Sequence, residues 1–269
     1  MNFITNDNKK LFYEIVGNKE SNSTLVFLNG LTQSTLSWGL VTPNFNRNYK
    51  IVLLDFIFQG QSDKTGDYRN FDQHAQDVKH LLDHLQINKP IIIGLSFGSL
   101  VAQHYSVLFP EGLSKLILIS TFAHKTPYYE ALELSWWRAL EVGGYNLMLD
   151  IMLPSVLSET YFSNPLIPIA AMKEMRKEAN QNSEAIFNLM RATKERRDFR
   201  KELELITCPT LIIQGEKDLL LPVHLANEIH LRIRRSIFIV IKNAGHTLNL
   251  EHVPETVGYI QDFLNDKNP

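Results

Sequence analysis

The stretch Ile91-Ile92-Ile93-Gly94-Leu95-Ser96-Phe97-Gly98-Ser99-Leu100-Val101 decides the fold. An apolar run of strand character, Ile91–Gly94, passes through a single serine into a segment where Leu100, Val101, His104, Tyr105 and Leu108 recur at helical spacing. The pattern G-x-S-x-G between a strand and a helix describes a sharp turn that holds the serine in strained backbone geometry. Gly94 and Gly98, two residues to either side, let strand and helix approach closely. The Ser96 hydroxyl then stands at the carboxyl end of the strand, where a reactant can meet it.

Working outward, short apolar runs at Leu25–Leu28, Ile51–Asp55 and Leu116–Ser120 read as companion strands. Their residues are apolar at consecutive positions, as expected of a parallel sheet covered by helices on both faces. Between the second and third strands, Ala75, Val78, Leu81, Leu82 and Leu85 fall at three- and four-residue intervals, and Asp72 is placed to cap that helix. After residue 206 the alternation resumes: Thr210–Gln214 as a strand, His224–Leu231 as a helix, Ile237–Ile241 as a strand, and a last helix with Pro254 in its first turn. Alternating Leu11, Tyr13 and Ile15 mark an edge strand or hairpin in the first 24 residues. This succession implies an α/β fold with a mostly parallel sheet.

Residues 123–205 break the alternation. They carry helical patterns with Pro154, Pro165 and Pro168 and no convincing strand. The expected organisation is therefore a core built from 1–122 and 206–269, with 123–205 as a helical cap. At 269 residues the chain is near the upper size for one hydrophobic core. Tyr128, Tyr129, Trp136, Trp137, Leu147, Met148, Leu149, Ile151 and Met152 are numerous for a surface segment. They either close over an apolar pocket or fill the cap's own core.

A serine hydroxyl is a weak nucleophile until a base takes its proton, so a catalytic Ser96 requires a histidine and an acid that orients it. Asp218 follows the strand Thr210–Gln214 in Gly215-Glu216-Lys217-Asp218, and His246 follows Ile237–Ile241 in Asn243-Ala244-Gly245-His246. Both sit at carboxyl strand ends, the same edge of a parallel sheet as Ser96. The order Ser, Asp, His is the one this architecture uses. Glu216 is the second choice for the acid.

These features together resemble the α/β-hydrolase family over about residues 10–265: Leu28-Asn29-Gly30, Asp55 followed by Gly60-Gln61-Ser62-Asp63, the turn at 94–98, Gly215-Glu216-Lys217-Asp218 and Ala244-Gly245-His246. The resemblance implies an eight-stranded, mostly parallel sheet, a helical cap inserted after the sixth strand, and acyl transfer through a covalent serine ester. Phe97 is then expected to supply one backbone N–H to the oxyanion, and the resemblance implies Leu31 for the second. Two departures stand out, since many relatives carry histidine at Asn29 and a glycine-histidine pair at Phe58-Gln59. The Asn-Gly pair with Gly-Gln-Ser is similar to hydroxyacyl transferases that work from acyl carrier protein, whereas the serine turn and the cap look more like enol-lactonases and small esterases.

The expected activity is hydrolysis of a carboxylic ester, lactone or thioester. The alternatives are an acyltransferase passing a hydroxyacyl group from a thioester carrier to an alcohol or thiol, and a ligand-binding protein that keeps the fold without turnover. Serine at the turn argues against dehalogenase or epoxide-hydrolase chemistry, which needs an aspartate nucleophile. An acyl-enzyme route uses side chains, backbone donors and water, so no cofactor is expected.

With 27 Lys and Arg against 29 Asp and Glu, the chain has no electrostatic basis for binding nucleic acid. A single cysteine, Cys208, forms no internal disulfide and is expected to be buried; no Cys/His spacing suggests zinc, and a reducing cytoplasm fits. Neither a signal peptide nor a membrane span is expected. His80 and His84, four apart on one helix, are expected on a solvated face, with metal binding as the sharper alternative. Arg191–Lys201, with Glu195 and Asp198 interspersed, is expected as an exposed, salt-bridged helix, with docking of an acidic acyl carrier protein as the alternative.

Overall fold

The computed structural model describes residues 1–179 and 182–267. One eight-stranded sheet holds β1 (Asn2–Ile4), β2 (Lys10–Gly17), β3 (Thr24–Leu28), β4 (Lys50–Leu54), β5 (Ile91–Leu95), β6 (Lys115–Ile119), β7 (Thr210–Gly215) and β8 (Ser236–Ile241), in the order β1-β2-β4-β3-β5-β6-β7-β8. β2 pairs antiparallel with both β1 and β4, and the remaining pairs are parallel. The hairpin expected at the amino end is thus the antiparallel edge of an otherwise parallel sheet.

Consecutive apolar residues in the parallel strands divide between two cores. Val26, Leu28, Val52 and Leu54 face one, and Leu25, Phe27, Ile51 and Leu53 face the other. Side chains alternate across a strand, so a strand covered on both sides needs apolar residues at every position. On the first face pack α1 (Phe71–His84) and α2 (Phe97–Leu108); on the second packs the C-terminal helix over Val253–Leu264.

The N-cap of α1 is Asn70, not Asp72 as expected. Asn70 Oδ1 accepts from the Gln73 backbone N–H and Gln73 Oε1 accepts from the Asn70 backbone N–H, both at 2.9 Å. This reciprocal pair satisfies two helix-end donors, which a lone aspartate two residues later cannot do. Asp72 lies in the first turn, and His104 Nδ1 donates to its Oδ1 at 2.6 Å.

Between β6 and β7 the chain leaves the sheet for α3 (Pro127–Val156), α4 (Glu159–Ser163), α5 (Ile169–Ala179) and α6 (Ser183–Glu195). α3 bends at Gly144, whose φ of 66° interrupts the helical ladder. After β7 come α7 (Val223–His230), α8 (Leu248–Glu251) and α9 (Val253–Leu264).

The expected exposed helix Arg191–Lys201 is corrected in two respects. α6 stops at Glu195, and Arg196 turns inward. Its guanidinium donates to Gln103 Oε1 at 2.7 Å and to the Phe122 and Ala123 carbonyls at 3.3 Å, and it lies over the Phe199 ring. Burial pulls its pKa down to about 9. Arg191, Arg197 and Arg200 follow the expected pattern, pairing with Glu195, Glu202 and Asp198. Cys208 is buried, which raises its thiol pKa.

The sheet order reverses beside β3, because β4 lies on one side of it and β5 on the other. Crossovers leaving in opposite directions open a crevice at the carboxyl ends of these strands. Register places Leu28 opposite Gly94, so the loop after β3 and the turn after β5 share that crevice. A Cβ on Gly98 would lie 2.7 Å from the Asn29 carbonyl oxygen. Gly98→Ala is therefore expected to destabilise the fold by roughly 3 kcal/mol, because backbone cannot yield as a side chain does. Urea denaturation checks this, and an unchanged midpoint would contradict the packing described.

Candidate active site

Ser96 has φ 51° and ψ −116°, a left-handed conformation that serine adopts only under constraint. Three contacts supply it. Its N–H donates to the Ile119 carbonyl of the neighbouring strand at 2.9 Å, and its carbonyl accepts from Ser99 N at 2.8 Å and Ser99 Oγ at 2.6 Å. A Cβ at Gly94 would sit 2.6 Å from the Gly98 carbonyl carbon, so the turn closes only with glycine there.

The loop after β7 turns Asp218 inward and leaves Glu216 outside. Asp218 Oδ1 accepts from the backbone N–H groups of Leu220 and Leu221 at 3.0 and 2.8 Å, and its Oδ2 accepts from Gln214 Nε2 at 2.7 Å. His246 Nδ1 completes the set, donating to Asp218 Oδ2 at 2.8 Å. Every bond to this buried carboxylate comes from a donor, an arrangement suited to its ionised form. Glu216, the second choice, instead accepts from the Asn243 backbone N–H at 3.0 Å on the surface.

With Nδ1 committed to Asp218, the imidazole presents Nε2 to its surroundings. His246 and Ser96 line one cavity of about 50 Å³. The His246 loop is fixed from two sides: Ser120 Oγ donates to the His246 carbonyl at 2.7 Å, and Glu251 accepts from the N–H groups of Gly245 and Thr247. Glu251 also accepts from Ser158 N at 2.9 Å, and Thr247 Oγ1 donates to the Val156 carbonyl at 2.9 Å. The histidine loop is thereby tied to the helical insertion.

Gly30, Leu31 and Phe97 line the same cavity. Phe97 opens α2, so its N–H lies outside the helical ladder. Behind Leu31 lies a buried polar cluster that sequence reasoning marked only as a departure. Gln59 Nε2 donates to the carbonyls of Gly30 and Leu31 at 2.8 and 3.0 Å. Asn29 Nδ2 donates to Leu54 O at 2.8 Å and Asp55 Oδ1 at 3.2 Å, and Asn29 Oδ1 accepts from Trp38 Nε1 at 2.9 Å. Asp55 Oδ1 further accepts from Thr35 N at 2.8 Å, and burial raises its pKa. Phe58 has φ 81°, which glycine would adopt freely.

From the insertion, Tyr129, Trp136 and Met152 reach the cavity wall, whereas Met148 and Leu149 are buried in packing and Tyr128, Leu147 and Ile151 are exposed. Both readings of these apolar residues hold, for different members. His80 Nδ1 lies 3.4 Å from Asn6 Nδ2, and the exposed His84 ring lies tilted against Phe3, 5.3 Å between centroids. Among the described residues no three His, Cys, Asp or Glu side chains gather as a metal site, and no helix is long and apolar enough to cross a membrane.

Residues 23–253 match the family model described as the alpha/beta hydrolase fold, and the chain belongs to this family. It is 25% identical to the uncharacterized hydrolase YugF of Bacillus subtilis (strain 168), over 97% of this chain and 96% of that protein. It is 28% identical to a 2-hydroxy-6-oxononadienedioate/2-hydroxy-6-oxononatrienedioate hydrolase of Pseudomonas putida, over 91% and 89%. A solved alpha/beta hydrolase enzyme from a Medee basin deep-sea metagenome library superposes with a TM-score of 0.90 at 25% identity, covering 100% of this chain and 98% of that one.

The Asn29 cluster generates a test of stability. Asn29→Leu leaves the Trp38 indole N–H and the Leu54 carbonyl without their buried partner, and a loss of about 3 kcal/mol is expected. Chemical denaturation measures it; a loss below about 1 kcal/mol would show that the cluster is replaceable by apolar packing.

Proposed function

We propose that this protein is a serine hydrolase that cleaves a carboxylic ester, lactone or thioester. Relatives that bear the name hydrolase support hydrolysis in general. The specific support is the His246–Asp218 hydrogen bond together with the opening of that imidazole onto the cavity that Ser96 lines.

In this reading Ser96 Oγ attacks the acyl carbon while His246 Nε2 takes its proton. Asp218 remains ionised, holds the ring in the required tautomer and offsets the charge of the imidazolium. The negative charge that develops on the carbonyl oxygen is met by the backbone N–H groups of Leu31 and Phe97. His246 then gives its proton to the leaving alkoxide, releasing the alcohol and leaving an acyl ester on Ser96. Water enters, loses a proton to His246 as it attacks the ester, and the acid departs as that proton returns to Ser96.

The polar cluster behind Leu31 acts through position. Gln59 fixes the two carbonyls of Gly30 and Leu31, which sets the peptide planes and hence where the intervening amides point. Glutamine provides two donors from one amide nitrogen, so it does this work where many relatives have histidine.

Two outcomes test the assignment. An active-site fluorophosphonate is expected to label Ser96, and Ser96→Ala is expected to lose the label and to lower ester turnover by on the order of 10,000-fold, with Asp218→Asn about 1,000-fold down or more. Full labelling in Ser96→Ala would place the nucleophile elsewhere. The size of the cavity generates the second: across p-nitrophenyl esters, kcat/KM is expected to be greatest for acetate to butyrate and about tenfold lower or more by octanoate. A maximum at octanoate would contradict it.

A further inference from the structure

Glu251 stands where the helical insertion meets the loop that carries His246. Its carboxyl group takes backbone N–H groups from both: Thr247 on Oε1 at 3.1 Å, and Gly245 and Ser158 on Oε2 at 3.3 and 2.9 Å. Gly245 and Thr247 flank His246 in the chain, whereas Ser158 is the N-cap of α4 in the insertion. The packing leaves no slack, because a Cβ on Gly245 would lie 2.6 Å from both Glu251 Oε1 and Ser158 N. The helix that bears Glu251 is itself anchored. On α8, Asn249 Nδ2 donates to the Ser37 carbonyl at 3.0 Å, and Asn249 Oδ1 accepts from Gln33 Nε2 at 3.4 Å.

We propose that Glu251 is a positioning residue that makes the aim of the His246 imidazole depend on the docking of the insertion. This deepens the serine-hydrolase reading above and rests on it. Asp218 acts on the ring, through Nδ1; Glu251 acts on the backbone beneath it. The peptide between His246 and Thr247 is held at both ends, its oxygen by Ser120 Oγ at 2.7 Å and its N–H by Glu251. Because a peptide is planar, fixing both ends fixes the direction in which the His246 Cα carries its side chain.

The third donor sets Glu251 apart from Ser120, since it comes from the insertion. Movement of the insertion away from the sheet takes the Ser158 N–H with it, and Oε2 loses the shorter of its two bonds. The Thr247 Oγ1 bond to the Val156 carbonyl, 2.9 Å, breaks in the same motion. Both losses fall on the residues beside the base. A misplacement of about 1 Å in such a site costs on the order of 100-fold in rate, so a docked insertion completes the alignment of His246 with Ser96.

The first test is Glu251→Gln in the full-length protein with p-nitrophenyl acetate. Glutamine has one acceptor oxygen where glutamate has two, so at least one of the N–H groups is left facing an amide NH2. kcat is expected to fall by about tenfold or more with KM within about threefold, because contacts to the substrate are untouched. In a His246→Ala background the same substitution is expected to change the residual rate by less than about twofold, since a residue that acts through the imidazole has nothing left to act on. An unchanged kcat in Glu251→Gln, or an equal loss in both backgrounds, overturns the proposal.

The second test isolates the bond from the insertion. Ser158 has φ −70°, and Leu157 has φ −123° and ψ 143°, values that proline and the residue before it adopt. Ser158→Pro removes the N–H and puts a ring carbon in its place, whereas Ser158→Ala removes only the hydroxyl that accepts from Tyr161 N. Ser158→Pro is expected to lower kcat by about fivefold or more relative to Ser158→Ala; equal values overturn the dependence on the insertion, and this pair decides the matter should Glu251→Gln fail to fold. Fluorophosphonate labelling of the wild type runs in parallel. Labelled Ser96 with no effect of Glu251→Gln removes the role of Glu251 alone, whereas no label and no turnover in wild type removes the hydrolase reading and this one with it.

Discussion

The close approach of three backbone segments at the turn around Ser96 governs the rest of the molecule. β5 enters, α2 leaves, and the end of β3 passes so near Gly98 that no side chain fits between them. This contact holds Ser96 at a positive φ and sets its distance from the loop after β3. Because the turn stands where the sheet order reverses, the same contact fixes the serine in the crevice between outgoing connections. The strain has a visible support: Ser99 Oγ donates to the Ser96 carbonyl and accepts from Thr121 Oγ1, which in turn accepts from Gln103 Nε2. Gln103 Oε1 then accepts from Arg196, so the turn is braced by the segment where the helical insertion returns to the sheet.

Two buried polar groups lie beside the serine, and each is tied down by several hydrogen bonds. Asp218 takes bonds from two backbone amides, a glutamine and the histidine. A carboxylate so surrounded keeps its orientation, which is what an adjacent imidazole needs. The second, Asn29 with Asp55 and Gln59, is bonded to the backbone of Gly30, Leu31, Thr35 and Leu54. It sets the course of the loop from Gly30 to Gln33. Replacement of the common glycine-histidine pair by Phe58-Gln59 trades backbone ease for packing, since Phe58 fills the core at a φ that glycine would hold without strain.

The helical insertion is coupled to the site rather than laid over it. Thr247 and Glu251, beside the histidine, hold Val156 and Ser158 at the junction of α3 and α4. Tyr129, Trp136 and Met152 of α3 and Arg176 of α5 line the cavity beside Ser96. A shift of the insertion would therefore be felt in the histidine loop and in the shape of that cavity.

Much of this was legible in the residues. The strand runs, the G-x-S-x-G turn and the positions of Asp218 and His246 at strand ends are local patterns, because alternation, helical period and steric demand act over a few residues. Strand ends at the sheet agreed to within a residue or so, and the choice of Asp218 over Glu216 accords with which of the two is buried against the histidine. The cap of α1 was misplaced because a reciprocal Asn-Gln pair outweighs one aspartate. The inward turn of Arg196 was hidden because its partners Gln103, Phe122 and Ala123 lie more than seventy residues away in the chain. The same holds for the cavity beside Ser96: a cavity is the space left when distant segments pack. Sequence determined that Ser96, Asp218 and His246 occupy the same edge of the sheet, since that follows from strand direction. Only the tertiary structure decided how the space beyond the serine is shaped and charged, because volume and dielectric belong to the assembled walls and to no single stretch of chain.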